Sequence, residues 1–145
     1  MTLLIGLAVG MVSAGGGVAS VVSTAPEDGI STPLGSQPGN PERGRALMLD
    51  TDKGNCVACH FVPDAPFPGN AGPNLVEVIN FGGRSEAWLR QKIVDPKVYN
   101  PDTIMFTFHK TEGKRRVARE FDGKPVLTGQ EVEDLLAYLA TLKKP

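Results

Sequence analysis

The two cysteines of this 145-residue chain stand three apart and are followed at once by a histidine, in Cys56-Val57-Ala58-Cys59-His60. With no further cysteine, a disulfide-stapled scaffold and a four-cysteine zinc ribbon are both excluded. C-x-x-C-H is the attachment signal for a c-type haem. The spacing has a chemical reason. On a helical turn it brings both sulfurs to one porphyrin edge, where they add across the vinyl groups as thioethers. The next residue, His60, then points its imidazole at the iron as proximal ligand. The alternatives are a thioredoxin-type redox pair, a structural disulfide and half a zinc site. The redox pair belongs at the start of a helix in a βαβ pattern, which this sequence lacks. Zinc needs further ligands, and the one other histidine is His109.

The remaining pattern is helical. Asn40 caps a first helix with Pro41 at its first position, running to about Leu49. Ala46 and Leu47 are its buried candidates. Gly44 lies in its middle, at a cost of about 1 kcal/mol against Ala unless close packing needs it. A loop with Pro63, Pro66, Pro68, Gly69, Gly72 and Pro73 follows the cysteines. Asn74 to Phe81 reads as a short helix. Ser85 caps another through Val94, with Leu89 and Ile93 spaced i,i+4 and Pro96 just beyond. Thr128 and Glu131 form a capping box for the last helix. Along it Val132, Leu135, Leu136, Leu139 and Leu142 recur at helical spacing, and Lys143 and Lys144 suit its C-terminal dipole. No segment alternates like a strand for long, so the class is all-α, with a packed domain over 41–145. Few helices and much loop, with 17 Gly and 12 Pro, make a thin core whose centre something else should fill.

No charge occurs before Glu27, and Leu3 to Ala14 is mostly apolar. Residues 1–25 read as a signal peptide or targeting segment, although its start lacks the usual Lys or Arg. Cleavage fits after Ala14, after Ser20 or near Ala25. The alternative is an uncleaved anchor, which five glycines weaken. Either way the rest of the chain is expected outside the cytoplasm, in the periplasm, with no stable membrane association. Residues 26–40 are polar and rich in Pro and Gly, a linker or extended arm. Lys+Arg 15 against Asp+Glu 16 argues against a nucleic-acid partner.

A haem iron needs a sixth ligand or an open site. Met1 and Met11 lie in the targeting segment, and Met48 lies on the first helix as a core residue. Met105 remains, in the irregular stretch Asn100-Pro101-Asp102-Thr103-Ile104-Met105, from which it can cross to the distal face. His109 is the competitor and would give a bis-His site of lower potential. In Gly72-Pro73-Asn74-Leu75, the Pro73 carbonyl is the candidate acceptor for the other N–H of His60. Trp88 and Tyr99 fill the core or reach the haem propionates, the core being the plainer reading.

Taken together, Gly44 on a first helix, C-V-A-C-H, G-P-N-L and Ala137-Tyr138-Leu139 on the last helix resemble the class I cytochrome c fold. In that fold the first and last helices cross where a glycine lets an aromatic approach, here Gly44 against Tyr138. A narrower resemblance covers 40–143. N-P-D-T-I-M (100–105), H-K-T-E-G (109–113), R-V (116–117) and the run from Gly123 to Lys143 are similar to SoxX, the single-haem subunit of the SoxAX complex of bacterial thiosulfate oxidation. The resemblance implies a class I cytochrome c fold around one covalent haem c, ligated by His60 and Met105, with a loop insert before the C-terminal helix. It also implies a SoxA-like c-type cytochrome partner, a carrier protein SoxYZ whose cysteine receives thiosulfate, and a downstream electron acceptor. The activity implied is that of an L-cysteine S-thiosulfotransferase, in which this chain moves electrons. The family usually has Pro after the ligand Met, and this chain has Phe106-Thr107. Thioether formation consumes both cysteines, so no thiol remains to carry sulfur or act as nucleophile.

The insert 107–127 carries Lys110, Lys114, Arg115, Arg116, Arg119 and Lys124 against Glu112, Glu120 and Asp122. It either docks an acidic partner or steers anions, or is a solvated loop. Two further function classes stay open: a free periplasmic mono-haem electron carrier without an enzyme role, and a haem sensor with an open distal site.

Overall fold

The computed structural model describes residues 29–114 and 117–144. The expected targeting segment 1–25 lies outside them, as do Arg115 and Arg116 of the insert. Among the described residues the helices are α1 (Pro41–Leu49), α2 (Leu75–Phe81), α3 (Glu86–Val94) and α4 (Gly129–Thr141), with 3-10 turns at Cys56–Ala58, Pro96–Val98 and Arg119–Phe121. No strand occurs among them, and no helix there is long and apolar enough to cross a membrane.

Each α-helix begins where a polar side chain accepts a free N–H of its first turn. Asn40 accepts from Arg43 N at 2.8 Å, Asn74 from Val76 N at 3.0 Å, and Ser85 from Trp88 N at 3.1 Å. Thr128 and Glu131 exchange both bonds of a capping box. Such a cap contributes about 1 kcal/mol.

Helix α4 is the centre of the core. Val132, Leu135, Leu136, Tyr138 and Leu139 are buried along it, each contributing roughly 1.5–3 kcal/mol through apolar burial. Helix α1 crosses it at Gly44, where a Cβ would lie 2.0 Å from the Asp134 carbonyl oxygen and 2.9 Å from Tyr138 Cβ. The glycine costs helix propensity and gains this approach. The crossing also corrects the expected burial on α1. Gly44 and Met48 are buried, while Leu47 is half-buried and Ala46 exposed. With Gly44 at the contact, the helical repeat brings position i+4 to the same face and turns i+2 away.

The arm over its described part, 29–40, lies along α3 and α4. Ile30 N donates to Ala87 O at 3.0 Å, Leu34 N to Glu133 Oε1 at 2.9 Å and Asn40 N to Asp134 Oδ1 at 2.8 Å. Beneath it Arg90, buried, donates to both oxygens of Glu133 at 2.8 and 2.9 Å and to the Ile30 carbonyl at 2.8 Å. Asp134 likewise receives Arg43 at 2.7 and 2.9 Å. No apolar periodicity marks such an arm, because backbone N–H groups bound to buried carboxylates hold it.

Trp88 and Tyr99, read as core, are half-buried instead. They stack at 5.3 Å between ring centroids, with Arg84 and Lys92 over the indole. Placed one position before Leu89, Trp88 faces away from the side of α3 that packs inward.

Gly44→Ala is expected to destabilise the protein by about 1–3 kcal/mol, since backbone rather than a mobile side chain must yield; urea melts of the variant against wild type measure it. The carboxylates also set an acid limit. The Arg90 bond holds Glu133 below its ordinary range, and the Arg43 bond does the same for Asp134, each against an opposing effect of burial. Their stabilisation is therefore complete above the unfolded values and lost as pH falls through the depressed folded ones. The urea midpoint should drop between about pH 5 and pH 3, and Glu133→Gln should flatten that drop.

Candidate functional site

The turn Cys56–Ala58 opens on Asn55, which takes a left-handed conformation at φ 43°, tolerable for asparagine. His60 N donates to Cys56 O at 2.9 Å, so the cysteine motif closes as one compact turn. The following loop is folded back on it: Gly69 N donates to Val57 O and Gly72 N to Cys59 O, both at 2.7 Å.

That return brings Pro73 to His60. Nδ1 of His60 lies 2.7 Å from the Pro73 carbonyl oxygen. A carbonyl only accepts, so Nδ1 carries a proton, which in the neutral ring leaves the lone pair on Nε2. Gly72 sits against the imidazole, where a Cβ would come within 2.5 Å of the ring. The ring is thus held from one side by a hydrogen bond and from another by bare backbone.

An apolar cleft with about 380 Å³ of empty space, part of it open to solvent, lies beside this histidine. Cys56, His60 and Met105 all line it, with Leu75 at one wall and Leu135 and Leu139 of α4 at another. Met48 lines it too, as do Ile93, Phe108 and Leu127, so the core and the cleft share side chains. Cys59, half-buried, ends the turn and is not among the lining side chains. His109 is not among them either. Its Nδ1 donates to the Leu127 carbonyl at 2.8 Å, which ties the start of the insert to its end. Phe108, unmarked in the sequence reading, makes the same tie through its carbonyl, which accepts from Val126 N and Leu127 N. An isolated aromatic in a loop carries no periodic signal by which to find it.

Burial pushes the Cys56 thiol up to about 11. At neutral pH it is a thiol, which does not suit a ready redox pair. Among the described residues no three of His, Cys, Asp and Glu gather to hold a metal ion. What the cleft offers is an imidazole nitrogen and a thioether sulfur as donors, an apolar surround, and a cysteine at the wall. This set fits a c-type haem in composition.

The insert is partly pinned. Lys110 bonds Asp95 at 2.7 Å, and Lys114 donates to the Lys124 carbonyl at 3.0 Å.

If Gly72 is the space that the His60 ring needs, Gly72→Ala should lower the haem-loaded fraction in cells that mature c-type cytochromes. The ratio of Soret to protein absorbance reads this, with an overpacking cost of about 1–3 kcal/mol behind it.

No protein-family model matches the chain, and no curated protein matches it. Among solved structures it matches one described as the crystal structure of SoxXA from P. pantotrophus, with 37% identity and a TM-score of 0.71, covering 81% of this chain and 92% of that one. Identity at that level, sustained over nearly all of the matched chain, is more than a shared architecture; together with the helical frame around a C-x-x-C-H turn, it makes this chain a member of the SoxX-like cytochromes, with the cytochrome c fold.

Proposed function

We propose that this chain is the electron-transfer subunit of a SoxAX-type complex, working in the periplasm beside a SoxA-like c-type cytochrome that oxidatively joins thiosulfate to a cysteine of a SoxYZ carrier. The observation that carries this reading is the likeness to SoxXA over 81% of the chain.

When bound, haem c supplies one-electron chemistry. Cys56 and Cys59 would hold it as thioethers, and His60 Nε2 and the Met105 sulfur would ligate its iron. The Pro73 carbonyl keeps the proton on Nδ1 of His60 and fixes the ring. The apolar walls of Leu75, Leu135 and Leu139 exclude water, and a thioether ligand raises the potential, so both favour accepting an electron.

Joining thiosulfate to a thiol forms a sulfur–sulfur bond and breaks S–H. A proton and an electron pair leave. This chain keeps no thiol once both cysteines are thioethers, so the bond forms elsewhere. The chain takes the electrons one at a time and passes them to a downstream acceptor.

The test mixes purified subunits with carrier and thiosulfate and follows the mass of the carrier. The expected result is mass gain with both cytochromes present and none with this chain alone. Mass gain from this chain alone would overturn the assignment. A protein that purifies as a monomer and never associates with a second c-type cytochrome would point instead to a free carrier.

A further inference from the structure

Met105 lies between two side chains that face solvent: Ile104 is 76% and Phe106 73% exposed. Apolar packing of its neighbours therefore does not hold it toward the cleft. Polar bonds do: Phe108 N donates to the Ile93 carbonyl at 3.3 Å, and the side-chain bonds converge on one carboxylate. Asp95, at the end of α3, is 4% exposed. Its Oδ1 accepts from Lys97 N at 3.1 Å and from Thr107 Oγ1 at 3.3 Å, and its Oδ2 from Lys110 Nζ at 2.7 Å.

Both directions along the chain from Met105 lead back to this group. Toward the C-terminus the route is short, since Thr107 is two residues on. Toward the N-terminus, Met105 N donates to Thr103 Oγ1 at 3.2 Å. The Lys97 ammonium bridges the carbonyls of Thr103 at 3.1 Å and Pro101 at 3.3 Å. Lys97 itself is anchored through its backbone to Asp95. Burial alone would raise the Asp95 carboxyl, but the bonds from Lys110, Lys97 and Thr107 outweigh it and hold it below its ordinary range. The group is an anion with each of its oxygens engaged.

We infer that Asp95, acting through Lys97 and Thr107, is the positioning residue that presents Met105 to the cleft. This rests on the reading of Met105 as distal ligand. An aqueous ligand such as imidazole competes with a tethered methionine, and the tether's advantage is the ordering of its loop. Loosening the loop therefore shows as easier displacement, without any change of the ligand itself.

The experiment uses the ferric haem-loaded protein, reading the weak far-red sulfur–iron band and titrating imidazole. Asp95→Asn, Lys97→Met and Thr107→Val should each weaken the band and tighten imidazole binding, by about tenfold for Asp95→Asn, as expected for losing a charged hydrogen bond. Lys53→Met removes the ion pair to Glu131, at 3.1 Å, which shares no bond with Asp95, Lys97 or Thr107. It should leave both readouts as in wild type even where the melting temperature falls. Should Asp95→Asn fold poorly, Lys97→Met and Thr107→Val carry the test, since one position is exposed and the other half-buried. Unchanged band and imidazole affinity in those two overturn the positioning role while leaving the ligand in place. A wild type without the band, or a Met105→Ala protein that keeps it, instead overturns the ligand reading and the inference with it.

Discussion

Where α1 meets α4, the missing side chain of Gly44 lets the two backbones touch at the Asp134 carbonyl, and most of the remaining structure is arranged around that contact. It lays Met48 on the inner face of α1, above the leucines of α4. It also puts two consecutive carboxylates, Glu133 and Asp134, at the seam. A buried carboxylate is costly unless paired and hydrogen-bonded. Here Arg90 and Arg43 pair them, and N–H groups of the arm take up further oxygen sites. The arm is thus both a consequence of the crossing and a condition for it.

The apolar interior is short. Among the described residues ten buried hydrophobic ones form it, and many of their neighbours, among them Leu47, Val57, Leu75 and Leu89, are only partly covered. Of the partly covered neighbours, Leu75 and Met105 line the cleft, where a bound group would shield them. A thin core and an apolar cleft sharing the same leucines are two views of one design: a c-type haem held there would belong to the core of the fold. This is why the helices can be few and the loops long.

The two halves of the candidate site are built by different means. On the His60 side local backbone geometry dominates, with a compact turn, a nearby glycine and a carbonyl thirteen residues on. On the Met105 side an irregular loop is held by an ammonium across two carbonyls and a buried carboxylate behind it. Phe106 stands where the family usually has proline, resting edge-on to Phe108 with ring centroids 6.4 Å apart. The loop's order therefore depends on hydrogen bonds more than on a fixed dihedral angle.

What could be read directly from the chain was local in its physics. Asn40, Asn74, Ser85 and Thr128 mark helix starts because a cap acts within three residues, and the leucines of α4 mark a buried stripe because their period matches the helix. The C-x-x-C-H turn belongs with these, since its chemistry lies within five residues. Gly44 against Tyr138 was legible only through the resemblance to a known fold. The tertiary structure alone decided that Ala46 faces outward, that Trp88 and Tyr99 stack outside the core, that the arm lies on Glu133 and Asp134, and that Asp95 ties α3 to the Met105 loop. These are polar or one-off contacts between segments distant along the chain. They repeat with no period, so no local pattern in the sequence marks them.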